Sequence, residues 1–196
     1  MEAVRVITGR CLPLQRSDVD TDQIIPSDWL KRVERTGFEK GLFSEWRDDP
    51  KFVLNDERFA GATIIVAGPN FGTGSSREHA VWAIQQAGFK AVISPRFGDI
   101  FRNNALKGGL VPVVAPPEVV EQLQRAIDDD HTLEIVVDVE ARRLACPALG
   151  IDIEFPLDEF TQYRLLHGLD DIGLTLRNES DITAYEQSRP AWMPTS

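Results

Sequence analysis

Apolar residues along this chain arrive in short dense runs separated by glycine-rich and charged turns, and run length separates strand from helix. Ala62–Ala67 (A-T-I-I-V-A), Lys90–Ser94 (K-A-V-I-S) and Leu110–Ala115 (L-V-P-V-V-A) are too short for helices and apolar enough for strands buried on both faces. Between them, Ser75–Ala87 carries helical features, and Pro95–Gly109 contains a helix with Ile100, Phe101, Ala105 and Leu106 in rough register before two glycines. Strand, helix and strand in this order predict a right-handed parallel crossover. Val4–Leu12 predicts an opening strand, and Pro116 and Pro117 open a helix to about Asp128, because proline is tolerated in the first turn. Thr132–Val139 alternates as a strand, and C-P-A-L-G-I-D-I-E-F-P (Cys146–Pro156) returns as another, predicting an antiparallel pair. A short helix follows near Phe160–His167, stops at Gly168, and gives way to a polar helix from about Asp170. The order predicts one three-layer α/β domain over residues 1–196 with a mixed, partly parallel sheet, and a helical tail over 157–196.

Ser27–Phe59 breaks the pattern: it is charged, contains Gly37, Gly41 and Pro50, and shows no sustained period. It is too long for an idle connector, so it is either a functional loop with short helices or a mobile flap. The 196 residues suffice for one core without disulfides. A formal net charge of -10 disfavours a nucleic-acid partner, and the nearest basic stretch, Lys31–Arg35, contains Glu34. Cys11 and Cys146 lie far apart without a C-x-x-C companion, which argues against a metal site built from this chain alone. Two buried free thiols are expected, with a single disulfide as the alternative. No apolar run has the length of a membrane span or the pattern of a signal peptide, so a cytoplasmic protein is expected.

The chemistry concentrates in Gly68–Ala80, G-P-N-F-G-T-G-S-S-R-E-H-A, between a predicted strand and helix. Gly68, Gly72 and Gly74 permit positive φ and close approach of backbone N–H groups to a ligand. Ser75 and Glu78 have capping-box spacing, which places the serines at the positive end of a helix dipole. Capping explains one serine and leaves Ser76, Arg77 and the glycines unexplained. A phosphate loop lacks its Lys-Ser/Thr pair here, and G-x-G-x-x-G is absent. Arg77 presents a planar fork suited to a carboxylate, so a small carboxylic acid fits better than a nucleotide. Asp18, Asp20 and Asp22 are either turn and cap formers or members of the site. None of the three histidines, His79, His131 and His167, is placed as a base for serine, and His79 is expected to face a neighbour. A serine acting as base itself needs its alkoxide stabilised. A helix terminus supplies up to ~2 kcal/mol, moving a pKa by roughly 1.5. Backbone donors, Arg77 and a water-excluding second body must supply the rest.

The same thirteen residues resemble the signature of the aconitase swivel-domain family, and the chain as a whole is similar to the free-standing small subunits of isopropylmalate dehydratases. V-D-T-D-Q-I-I-P at Val19–Pro26, T-G-F-E-K-G-L-F at Thr36–Phe43, the Ser94–Pro112 stretch and G-L-D-D-I-G-L-T-L at Gly168–Leu176 carry the likeness in order. One departure is Ala105, where relatives often carry a cysteine. The resemblance implies a swivelling domain of a heteromeric hydro-lyase of leucine biosynthesis, paired with a large subunit that binds a [4Fe–4S] cluster and acting on a small dicarboxylate. It implies Ser75 as catalytic base, Ser76 and Arg77 as carboxylate ligands and alkoxide stabilisers near Gly74, and Asp22 as an active-site aspartate. It also assigns substrate reading to the Ser27–Phe43 region, where Trp29, Leu30 and Val33 suit an isopropyl group. A homoaconitase-like or other alkylmalate-specific small subunit, or a non-catalytic anion-binding module, are the alternatives.

Overall fold

The computed structural model describes residues 1–31, 36–75, 77–190 and 192. Its strands are β1 (Val6–Leu14), β2 (Ile64–Ala67), β3 (Ala91–Ser94), β4 (Val111–Val114), β5 (Glu134–Asp138), β6 (Arg143–Cys146) and β7 (Ile151–Glu154). They form one sheet in the order β4-β3-β2-β1-β5-β6-β7. β1 is the switch strand. Its Val6–Arg10 half pairs antiparallel with β5, and its Cys11–Leu14 half pairs parallel with β2. Burial follows the pairing: the first half alternates, whereas Cys11, Leu12, Pro13 and Leu14 are all buried. β2 and β3 are buried throughout, so helices cover both of their faces. Pro112, which cannot donate to a ladder, lies in the edge strand β4.

The parallel half is joined by α2 (Glu78–Gln86) and α3 (Asp99–Gly108), and α4 (Pro117–Asp129) follows β4. α4 buries Val120, Leu123 and Ile127, one helical face, against β1, β2 and β3. α2 buries Ala80, Val81, Ala83 and Ile84 and packs on α3, which ends at Gly109 in the left-handed region (φ 87°). The opening strand lies two residues later than the sequence suggests, because Val4 donates its N–H to Leu165 O (2.8 Å) outside the sheet.

The antiparallel half holds three strands where two were expected. C-P-A-L-G-I-D-I-E-F-P contains the end of β6, a 3-10 turn at Pro147–Leu149, and β7. Gly150, at φ 66°, reverses the chain between them. The apolar Leu144–Cys146 of β6 continues without a polar break into Pro147–Leu149, so the boundary between strand and turn is not marked in the sequence. The tail contains α5 (Glu159–His167), α6 (Asp171–Leu176) and α7 (Glu179–Ser188), so the expected polar helix is two, divided at Arg177 and Asn178. Asp158 and Asp170 cap α5 and α6 by accepting from the N–H groups of Thr161 and Gly173.

In its described residues, 27–31 and 36–59, the long mixed stretch is a packed layer of 3-10 and other turns, with α1 (Thr21–Ile24) lying just before it. Phe38, Leu42, Phe43, Phe52 and Phe59 are buried and fix it to the core. Phe43 stacks on Trp46 (5.1 Å), and the Arg16 guanidinium covers the Trp46 ring at 4.2 Å. The alternative with short helices therefore describes its anchored parts. Cys11 and Cys146 are free and buried, and burial pushes both thiols' pKa up, holding them neutral. Among the described residues, no helix is long and apolar enough to cross a membrane.

Candidate active site

The loops leaving β1, β2 and β3 meet at the carboxyl ends of the parallel strands, the edge at which open α/β sheets place ligands. Their backbones are tied together. Gly68 N–H donates to Arg16 O (3.0 Å), Gly72 N–H to Val19 O (2.7 Å) and Thr21 N–H to Thr73 O (2.9 Å). On the other side, Phe71 N–H donates to Arg96 O (3.0 Å) and Gly98 N–H to Phe71 O (2.9 Å). The glycine-rich turn thus runs between its neighbours as an extension of the sheet. At Gly72 (φ 75°) an added Cβ would lie 2.3 Å from Phe101 Cγ, so both conformation and space demand glycine. At Gly74 (φ 88°) the nearest atom is 3.5 Å away, so conformation alone demands it. A cleft of about 450 Å³ opens between Gly72–Gly74 and the Arg96–Ile100 loop.

The three alternate aspartates divide their work. Asp18, at φ 54°, accepts from Asn70 Nδ2 (2.6 Å) and shapes the turn. Asp20 caps α1: it accepts from Gln23 N–H (2.8 Å), while Gln23 Oε1 accepts from Asp20 N–H (3.0 Å). That is a capping box, legible as the D-x-x-Q spacing but not read from the sequence. Asp22 alone turns to the candidate site, where its carboxylate contacts the Arg77 guanidinium. Arg77 is the more enclosed partner, with 16% of its side chain exposed against 57% for Asp22. Its Nη1 makes that charge contact without an aligned hydrogen bond.

Ser75 is exposed, and its carbonyl accepts from the buried Thr21 hydroxyl at 2.8 Å. Thr21, which the sequence did not single out, therefore fixes the Ser75 backbone. This tether also corrects the expected capping box at Ser75 and Glu78. α2 begins at Glu78, its N-cap is Arg77 in an extended conformation (φ −134°, ψ 106°), and no side chain caps it. Ser75 stands outside the first turn, where the dipole fades, so other donors must stabilise a serine alkoxide still more than the sequence implies.

His79 packs edge-on against Phe38 (5.3 Å) and against Trp82 (4.8 Å), facing neighbours as expected. Trp29 is half-buried with its indole against Gly41, where a Cβ would come within 2.7 Å of the ring, and Leu30 beside it is half-buried. Ser76 and Val33 lie outside the described residues. The structure thus brings Asp22 to Arg77 and Gly74 and Ser75 to Thr21, and sets Trp29 and Leu30 on the turn after α1. The chemical content is an exposed serine, next in the chain to the cleft-lining Gly74, and a cation held by an aspartate, residue types that suit a carboxylate.

Comparisons with known proteins agree with this layout. A family model described as the aconitase C-terminal domain matches residues 1–118. A second, described as the C-terminal domain of the 3-isopropylmalate dehydratase small subunit, matches residues 171–195. The chain is 64% identical over 196 residues to a 3-isopropylmalate dehydratase small subunit of Parafrankia sp. (strain EAN1pec), covering 100% of both chains. It is 60% identical over 194 residues to the protein of that name from Streptomyces griseus, covering 99% of this chain and 98% of that one. The crystal structure of 3-isopropylmalate dehydratase from Methanocaldococcus jannaschii superposes with a TM-score of 0.64 at 27% identity, covering 92% of this chain and 99% of that chain. The chain belongs to the aconitase C-terminal domain family, in the branch formed by the small subunits of 3-isopropylmalate dehydratase.

Proposed function

We propose that this chain works as the small subunit of a 3-isopropylmalate dehydratase, interconverting 2-isopropylmalate and 3-isopropylmalate through isopropylmaleate in leucine biosynthesis with a large subunit. The single observation that carries the reading is the open glycine-rich edge, where an exposed Ser75 stands beside the Arg77–Asp22 pair. The full-length identity to small subunits of this name supports it.

Ser75 Oγ, as the alkoxide, takes the proton from the carbon adjacent to a substrate carboxylate and becomes a neutral hydroxyl while the C–O bond of the neighbouring carbon breaks; the departing hydroxide takes up a proton from a donor on the large subunit and leaves as water, and rehydration reverses the steps with the hydroxyl on the other carbon. Arg77, oriented by Asp22, and Ser76 hold the carboxylate, and backbone N–H groups about Gly74 face the developing charge. Trp29 and Leu30, with Val33, contact the isopropyl group. A [4Fe–4S] cluster, when bound, supplies a Lewis acid for the leaving hydroxyl. This chain does not fit such a cluster, which takes several thiolates, since its two cysteines are both buried. The cluster is therefore assigned to the large subunit.

The test is turnover by the full chain assembled with a purified, cluster-loaded large subunit. Ser75→Ala is expected to lower kcat by about 10²–10⁴-fold with assembly retained. Unchanged kcat in the assembled complex refutes the base assignment and leaves the non-catalytic module. Faster turnover of homoaconitate than of isopropylmaleate overturns the substrate assignment in favour of a homoaconitase-like subunit.

A further inference from the structure

Burying a hydroxyl costs free energy unless it is hydrogen-bonded, and an apolar side chain of the same shape avoids that cost. Among the described residues, the buried polar and charged side chains are Thr21 (2% exposed), Ser94 (0%) and Arg164. Both hydroxyls hold the glycine-rich turn. Ser94 Oγ, at the end of β3, shares its proton between Gly68 O (2.7 Å), where the turn begins, and Arg96 O (2.8 Å). Thr21 Oγ1 donates to Ser75 O (2.8 Å), where the turn reaches the serine.

Thr21 grips the turn at two points. It is the first residue of α1, after the N-cap Asp20, so its own N–H has no acceptor within the helix. That N–H donates to Thr73 O (2.9 Å), and the hydroxyl donates to Ser75 O. The two carbonyls flank Gly74, where an added Cβ would lie 3.7 Å from Thr21 Oγ1. The carbonyl and N–H of a planar trans peptide point in opposite directions, so with Thr73 O turned to α1 the Gly74 N–H points away from it. Asp22, the next residue of α1, holds the Arg77 guanidinium. One turn of helix thus carries the restraints on both Ser75 and Arg77. The reciprocal bonds of Asp20 and Gln23 fix that turn from within.

We infer that Thr21 is a positioning residue for the dehydration: its hydroxyl fixes the Ser75 backbone and thereby the point from which Oγ reaches the substrate. The inference rests on the reading of Ser75 as the base of a dehydratase small subunit. Ser75 is exposed and stands before the first turn of α2, so packing and helix bonds restrain it little, and the contact with Thr21 supplies the restraint. A misplacement of about 1 Å costs roughly 100-fold in rate, so one hydrogen bond to the backbone of a base matters more to turnover than to stability.

The test assembles each full-length variant with saturating, cluster-loaded large subunit and measures kcat and KM for isopropylmalate. Thr21→Val keeps the branched shape without the hydroxyl and is expected to lower kcat about 10- to 100-fold, with KM within about threefold. Thr21→Ser keeps the hydroxyl without the methyl group and should hold kcat within about threefold of the unaltered chain. Thr21→Ala removes the hydroxyl without adding a methyl group and should repeat the loss in kcat, so misfolding of the valine variant cannot decide the result. Ser94→Ala removes the buried hydroxyl at the far end of the turn; it should lower the thermal melt and keep kcat within about threefold. A kcat for both Thr21→Val and Thr21→Ala within about threefold of the unaltered chain overturns the inference. So does a loss in Thr21→Ser or Ser94→Ala as large as that in Thr21→Val, because the hydrogen bond to Ser75 would then not be its cause. No turnover by the unaltered chain in the assembled complex is a different failure: it refutes the dehydratase reading itself, and this inference with it.

Discussion

The two halves of β1 lead into two kinds of protein. Beyond Cys11–Leu14 lies the parallel half, with β2 and β3 buried on both faces, and its loops converge at one edge around Gly72, Ser75 and Asp22. Beyond Val6–Arg10 lies the antiparallel half, whose strands alternate buried and exposed positions and return through short turns at Arg142 and Gly150. Parallel strands require crossovers, and crossovers deliver several loops to the same end of the sheet. Hairpins return each strand locally and gather nothing. The candidate chemistry sits where the topology collects loops, and the antiparallel half extends the sheet that holds that edge in place.

Substitutions matched across the two halves should differ most in the core. Ile65→Ala in β2, where the side chain is fully buried, is expected to cost about 2–5 kcal/mol by urea unfolding. Ile153→Ala in the half-buried β7 should cost about 1 kcal/mol. Equal costs would remove the distinction. Glycine provides the next contrast. Gly72→Ala meets both a positive φ and the Phe101 ring and should cost about 2–4 kcal/mol. Gly150→Ala meets a positive φ (66°) and open space and should cost about 1 kcal/mol.

Ion pairs sharpen the comparison further. Asp22→Asn frees Arg77 and should lower turnover of the assembled enzyme roughly 10- to 100-fold through misplacement of the cation. Its stability should change by less than about 1 kcal/mol, since Asp22 is exposed. Asp152→Asn breaks the 2.7 Å pair with Arg143 in the antiparallel half and should leave turnover unchanged. A loss of turnover there would show that the two halves are coupled.

The smallest effect is expected from acid. Asp158 is held below its ordinary pKa of 3.8 first by the Thr161 backbone N–H, and Asp170 first by that of Gly173. A depressed carboxyl stabilises the folded state above its unfolded pKa and loses that contribution as pH falls through the folded value. The caps of α5 and α6 should therefore weaken below about pH 4, seen as a loss of protection of the Thr161 and Gly173 amide protons relative to their unfolded exchange rates at the same pH. Protection unchanged down to pH 2 would remove the caps from the account.

The parallel half was the more legible because its signals are local. Ala62–Ala67 and Lys90–Ser94 announce strands by apolar density alone, and Pro116–Pro117 announces a helix start. β6 was hidden because its apolar Leu144–Cys146 runs straight on into Pro147–Leu149, and its pairing is set by the hairpin at Arg142 and the reversal at Gly150 rather than by a break in its own sequence. In the site, the glycines, Arg77 and the paired Asp22 follow from residue type and resemblance. The hold of Thr21 on Ser75 does not: it joins positions 54 residues apart and depends on a turn geometry that spacing does not encode. The same contact explains why the serine that looks like a helix cap is not one.

The central claim is that this chain is half of an active site, and the most direct measurement is isopropylmaleate formation, followed by its absorbance, on mixing the purified chain with a cluster-loaded large subunit. The account predicts no turnover of 2-isopropylmalate by either protein alone and steady turnover on mixing. Turnover by the isolated chain, or none in the mixture with the cluster intact, would contradict it.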